Sequence, residues 1–306
     1  MLLSNLFSGK NFLLGIGSQR AGSTLLHKLL AKTTRDVLMH PVKELHYFDS
    51  LYRIRAPQAL KDFSAVQLAN VVRARGLKTE EDEKALPKLM QCYVRANRIL
   101  STRQIESVDY QDLFRPCLQD HHWFGEITPE YMLMNAEQIQ KARDVIGAER
   151  MIAVLMVRHP ARRYLSAFKL GLIYMQDPAV IEGQDPSVLL DRFKQSLRSD
   201  DGWNLCQDRY NRFAETAELW SSHFGDDFLM LSLDQLVGST MTALGRIAER
   251  TGFHFDEQSV AAVMQAKVND VGVDVVLDDE ARDLCDHRFG ASVQQLNGLM
   301  GAELVL

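Results

Sequence analysis

Residues 15–30 read GIGSQRAGSTLLHKLL, directly after the apolar run Phe12–Gly15. The pattern predicts a strand, a tight loop and a helix in immediate succession. Gly17 and Gly22 free the backbone to turn, and Ser23–Thr24 open the helix. Such a turn aims unpaired backbone N–H groups and the positive end of a helix dipole at one point, which suits an anion and above all a phosphate. Arg20 adds a fixed positive charge there. The loop lacks the Gly-Lys-Ser/Thr ending of a Walker A sequence.

The rest of the chain builds a frame for that loop. Strand-like runs are expected at Phe12–Gly17, Val37–Met39, Trp123–Ile127, Met151–Val157 and Phe228–Ser232. Helical patterns separate them at Thr24–Thr33, Gln58–Arg75, Glu80–Asn97, Ala136–Ile146, Pro160–Ile173, Arg209–His223 and Ser239–Thr251. This alternation predicts one α/β domain over residues 1–306, with a central parallel sheet covered by helices. In such folds ligands bind beyond the carboxyl ends of the strands. Residues 51–100 and 174–206 read as insertions or lids over the sheet, and Glu80–Glu83 as a solvated helix start.

A second basic motif, VLMVRHPARRYLSAFK, spans Val154–Lys169. Arg158 ends an apolar strand and Pro160 suits the first helical turn. Arg162, Ser166 and Lys169 then share one helix face, while Arg163 reads as solvated surface. A phosphate-loop kinase would carry a magnesium-binding aspartate at a comparable strand end. Arginine stands there instead, so two phosphate groups held without a metal are expected. A third motif follows the second strand, His40-Pro41-Val42-Lys43-Glu44-Leu45-His46-Tyr47-Phe48-Asp49. If extended, it places Glu44 and His46 on one side. Glu44 there can take a proton from an acceptor hydroxyl, with His46 orienting it or the substrate.

Taken in order, these motifs resemble the sulfotransferases that use 3′-phosphoadenosine 5′-phosphosulfate (PAPS). Gln19-Arg20-Ala21-Gly22-Ser23-Thr24 is similar to that family's 5′-phosphosulfate loop, commonly Arg-Ser-Gly-Thr-Thr. Arg158 and Ser166, eight apart, are similar to its 3′-phosphate pair. Lys43–Asp49 resembles the Lys-Glu-x-His-Phe-Phe-Asp segment of the Golgi-type and bacterial carbohydrate branch, where the glutamate is the base. Gly125–Met132, Arg209–Leu236 and Lys267–Gly301 also fit, so the resemblance spans nearly the whole chain. It implies sulfuryl transfer to a hydroxyl of a sugar, lipid or other metabolite, with PAPS as co-substrate, adenosine 3′,5′-bisphosphate as product and no metal. It implies Glu44, Lys43, His46 and Arg20 in catalysis, and Gln19–Thr24, Arg158 and Ser166 around the nucleotide.

Two departures stand out. Arg20 replaces a lysine found in some relatives and can stabilise charge but not readily give up a proton. Ile127 stands where some relatives have lysine in Glu-Lys-Thr-Pro. Lys43 and His46 are therefore both open as helpers near the acceptor. Glu126 is open between a structural and a substrate-facing place, and Tyr210 and Trp203 between adenine stacking and core packing. A phosphate-loop kinase and a non-catalytic nucleotide-binding module are the competing readings.

Composition limits partners. The net charge of −5 and the absence of a dominant basic stripe argue against a nucleic-acid binder. No run of eighteen apolar residues is present, so no membrane span is expected. The apolar N-terminus lacks a basic start and a small-residue cleavage site, and reads as structure rather than a signal peptide. Cys92, Cys117, Cys206 and Cys285 are far apart with no Cys-x-x-Cys pair. They read as reduced thiols of a cytoplasmic protein, with neither a zinc nor a redox site. His121–His122 lacks a third ligand at metal spacing. Oligomeric state leaves no mark in the sequence.

Overall fold

The computed structural model describes residues 5–117, 120–175, 185–266 and 275–301. Five strands form one sheet: β1 Asn11–Gly17, β2 Val37–Met39, β3 Trp123–Ile127, β4 Arg150–Val157 and β5 Phe228–Ser232. Every pairing is parallel and the order is β2-β3-β1-β4-β5. β1 is thus central, with Leu14 opposite Glu126 on one side and Ala153 on the other. Strands buried on both faces read as continuous apolar runs, which is why their positions were legible.

The period of two along each strand divides the core between the two faces of the sheet. Phe12, Leu14, Ile16, Ala153, Leu155 and Val157 join one cluster; Leu13, Ile152, Val154 and Met156 join the other. The first is covered by α2 Tyr47–Leu51, α5 Lys88–Thr102, α6 Ala136–Ile146 and α10 Phe213–Phe224. The second is covered by α1 Ser23–Thr33, α12 Thr240–Thr251 and α13 Glu257–Gln265. Phe7 packs at full burial against Phe12, Phe114 and Phe124, so the segment before β1 belongs to the core. A third cluster joins α7 Pro160–Met175, α8 Pro186–Arg198 and α14 Asp279–Met300 through Tyr164, Phe168, Phe193 and Phe289.

One expected helix is two, and another starts late. Glu80–Asn97 divides into α4 Glu80–Lys84 and α5, because Pro87 has no N–H to donate and takes the cap position of α5. The expected Arg209–His223 helix is α10, which begins only at Phe213; Arg209 ends a separate helix, α9 Gly202–Arg209, and a turn at Tyr210–Arg212 lies between them. The lid expected at 51–100 is α3 Pro57–Arg75, α4 and α5. In the lid expected at 174–206, residues 176–184 lie outside the described residues, as do 267–274 of the closing segment. α11 is Leu233–Gly238, directly after β5.

The cysteine expectation is corrected. Cys92 on α5 and Cys117 form a disulfide, with Cα atoms 5.3 Å apart. Their separation of 25 residues carries no pairing signal in the sequence. Cys206 and Cys285 are free. Among the described residues no helix is long and apolar enough to cross a membrane.

Candidate active site

The loop after β1 is built from behind. Ser18 N–H donates to the Met156 carbonyl at 2.7 Å, and Ser18 Oγ donates to the Tyr210 carbonyl at 2.9 Å. Gly22 caps α1 at φ 99°, a conformation that L side chains rarely adopt, and a Cβ there would meet Leu233 Cδ1 at 2.7 Å. No side chain caps this helix start. The N–H groups of its first turn have no partner within the helix, an arrangement that suits an anion.

Two arginines flank that site. Arg20 sits at φ 64° and its Nε donates to Ser166 Oγ at 2.9 Å. Arg158, just past β4, donates from Nη1 to the Arg20 carbonyl at 3.3 Å. The strand-end Arg, the loop Arg and the helix Ser therefore meet, although 138 and 146 residues separate them from Arg20 in sequence. Burial pushes both guanidiniums below their ordinary value. Such a pair gains from an anion that restores the lost solvation.

Arg163 corrects the sequence reading: it is fully buried rather than a solvated face. It donates to Asn211 Oδ1 at 2.5 Å, to Gln207 Oε1 at 3.1 Å and to the Gln207 carbonyl at 2.9 Å, and reaches the Gln19 carbonyl at 3.5 Å. Burial brings its guanidinium down to about 10. Arg163 shares a helix face with Pro160 and Ala167, both buried, and that spacing was the available signal. Its guanidinium lies 5.8 Å from the Tyr210 ring centre, and Tyr210 is only 6% exposed. Tyr210 thus packs beneath the loop. Trp203 lines a cavity of about 320 Å³ with Phe168, Gly171 and Arg192.

The segment Lys43–Asp49 crosses the end of β3. Glu44 N–H donates to the Ile127 carbonyl at 3.1 Å, and His46 N–H reaches Thr128 Oγ1 at 3.4 Å. The expected extended form is corrected: Glu44 and His46 are left-handed, at φ 67° and 51°. The two side chains still converge, because the turn brings Glu44 Oε2 to 3.7 Å from His46 Nε2. Lys43 Nζ pairs with Glu44 Oε1. Burial lowers the Lys43 ammonium to about 8; Glu130 opposes that shift and Arg20 adds to it.

His46 is buried among carboxylates. Its Nδ1 donates to Asp49 Oδ2 at 2.8 Å and lies 3.5 Å from Glu130 Oε2. His46, Asp49 and Glu130 are close enough to share a cation; here the imidazole bonds Asp49 Oδ2, and Glu130 Oε2 and Asp49 Oδ1 have no hydrogen-bond partner. Glu130 was not singled out in the sequence, since only its stretch, Gly125–Met132, carried a signal. Glu126 resolves toward the interior. Fully buried, its Oε1 accepts from Tyr110 and Tyr131 at 3.0 and 2.8 Å, and its Oε2 from Thr128 at 2.8 Å. Burial raises its carboxyl to about 7 against those hydrogen bonds. It braces Thr128, which in turn holds the His46 backbone.

A five-stranded parallel sheet, with a basic helix start at the end of its central strand and a carboxylate beside it, suits an α/β group-transfer enzyme. The chain belongs to the sulfotransferase family, whose model matches residues 13–257. Two solved structures are similar in fold. A sulfotransferase from Alicyclobacillus acidocaldarius has a TM-score of 0.56 at 14% identity, covering 96% of this chain and 97% of its own. A sulfotransferase domain from the curacin biosynthetic pathway has a TM-score of 0.50 at 14% identity, covering 97% and 99%. No curated protein matches the chain.

Proposed function

We propose that this sulfotransferase moves the sulfuryl group of PAPS to the hydroxyl of a sugar, lipid or other metabolite, with Glu44 as general base. The observation that supports this most is the meeting of Arg20, Arg158 and Ser166 at a helix start, with the Lys43–Glu44–His46 group across the ends of β1 and β3. A phosphate-binding module would need only the first half.

In this reading the backbone of Gln19–Thr24 and Arg20 hold the 5′-phosphosulfate, and Arg158 with Ser166 holds the 3′-phosphate. Glu44 accepts the acceptor's proton as its oxygen bonds to sulfur. The bond from sulfur to the bridging phosphate oxygen breaks in line, and adenosine 3′,5′-bisphosphate leaves with the electron pair. Arg20 stabilises the charge that develops there. His46, held by Asp49, keeps Glu44 in place, and Lys43 faces both Glu44 and the loop. Positioning and electrostatics supply most of the rate, as in phosphoryl transfer.

Thermal shift tests the donor. Adenosine 3′,5′-bisphosphate should raise the melting temperature, and ATP with magnesium should not. The opposite result would establish the kinase reading. Turnover of PAPS with a panel of hydroxyl acceptors separates enzyme from module.

A further inference from the structure

Apart from the transfer site, one buried group of side chains has no part in the chemistry above. His40 follows β2, Cys92 lies on α5 and Cys117 ends a short 3₁₀ turn, Arg115–Cys117. All three are buried, and their ligand atoms lie within 4.8 Å of one another. His40 Nδ1 faces the Val42 backbone, with the amide at 3.1 Å and the carbonyl at 3.3 Å. That leaves Nε2 directed at Cys92 Sγ, 3.6 Å away. The Leu113 carbonyl oxygen completes the group, 3.1 Å from Nε2 and 3.7 Å from Cys92 Sγ. The Phe114 ring packs edge-on against His40 at 4.8 Å, so the surroundings are apolar.

We propose that His40, Cys92 and Cys117 form a zinc site in the reduced protein, and that the Cys92–Cys117 disulfide is the oxidised alternative of the same three residues. Two thiolates and one imidazole are a donor set that selects zinc over hard cations. A ring nitrogen held by backbone while the other faces sulfur is the arrangement that orients a metal-binding histidine. The Leu113 carbonyl can take the fourth position. Cα atoms 5.3 Å apart suit a disulfide. Rotation of the two cysteine side chains opens the pair for a shared metal with Zn–S bonds of about 2.3 Å.

The exchange balances. A dithiol reductant gives two electrons and two protons to the S–S bond, which breaks into two thiols, and the reductant leaves as its own disulfide. Binding Zn²⁺ then releases both protons, and each thiolate donates an electron pair to the metal. The disulfide ties α5 to the 3₁₀ turn; the zinc state ties both to His40 at the end of β2, three residues before Lys43. The site is therefore a clamp beside the acceptor segment and takes no part in group transfer.

The test uses the full chain, reduced with dithiothreitol, loaded with Zn²⁺ and freed of excess metal. About one zinc per chain is expected by elemental analysis. Oxidation with diamide should lower that at least ten-fold, as should Cys92→Ser with Cys117→Ser. Because that variant also loses the disulfide, Co²⁺ is loaded into the reduced wild type as a second measurement. A thiolate-to-cobalt charge-transfer band that vanishes on oxidation supports the site. A reduced wild type without zinc and without that band overturns it, and so does a folded double variant that keeps its zinc.

Discussion

On the β1–β4 side of the site, Arg20 and Arg158 are half-buried beside a helix start and, among the described residues, meet no carboxylate at ion-pairing distance; their contacts are Ser166 and a backbone carbonyl. On the β2–β3 side, Lys43, Glu44, His46, Asp49 and Glu130 already contact one another, although Asp49 Oδ1 and Glu130 Oε2 are buried without a hydrogen-bond partner. Desolvated charge without a protein partner is costly. The first side thus lacks a counter-charge that a bound anion would supply, whereas the second already holds acidic and basic groups against one another. Donor affinity should then come from the first side and acceptor chemistry from the second.

The largest effect should come from separating those two functions at Glu44. Glu44→Gln keeps size and hydrogen bonding but removes the basic oxygen. We expect kcat to fall by ~10²–10⁴-fold while the dissociation constant for adenosine 3′,5′-bisphosphate hardly moves. Loss of nucleotide binding in a folded variant would mean that the Lys43–Asp49 segment supports the phosphate loop, and the division between the two sides would fail.

Arg158→Ala makes the complementary break. Removing one partner of a buried charged contact should weaken adenosine 3′,5′-bisphosphate binding by roughly 2–4 kcal/mol. Adenosine 5′-phosphate, which lacks the 3′ group, should bind as before. Calorimetry with both nucleotides decides: equal losses would make Arg158 a support of the loop through its bond to the Arg20 carbonyl.

The same contrast explains what could be read in advance. Val37–Met39, Trp123–Ile127 and Phe228–Ser232 match the expected strands, because strands buried on both faces are written as local apolar runs. The loop and the strand-end arginine were legible because each is a local motif at a predictable end of a strand. What escaped depends on distant partners. Arg163 reads as one more cation in a basic run; its helix-face spacing with Pro160 and Ala167 is the one local sign, and the groups that hold it inside, Gln207 and Asn211, lie some 44–48 residues on. Glu130 becomes notable only beside His46, and Cys92 finds Cys117 only in the fold. Left-handed backbone at Glu44 and His46 has no marker either, since neither is glycine.

Glu126 sharpens the comparison from the stability side. Its carboxyl is raised from about 4.5 to about 7 by burial. A raised acid keeps its proton in the folded state while the unfolded chain has lost it. Stability should therefore fall as pH rises from 4.5 through 7, by at most about 3 kcal/mol. Glu126→Gln can still accept from Tyr110 and Tyr131 and donate to Thr128, but it carries no charge. It should match the wild type near pH 4.5 and exceed it at pH 8 in urea unfolding. A parallel pH dependence in both proteins would show that Glu126 is solvated in solution, and would remove the brace beneath His46.

The smallest effect should be the pH limb set by Lys43. Burial lowers its ammonium to about 8, against the pull of Glu130 and with help from Arg20. Below that value Lys43 is charged and holds Glu44; above it the amine is neutral and the pairing is lost. Transfer should then decline above pH 8, with a slope approaching ~10-fold per pH unit if the charge is required. Lys43→Arg keeps the charge throughout this range and should move the limb beyond pH 9 at some cost in absolute rate. The informative quantity is the position of the limb, which a purely structural change would leave in place. A limb that stays near 8 in Lys43→Arg assigns the titration elsewhere. The acceptor half of the site would then not depend on the charge of its lysine.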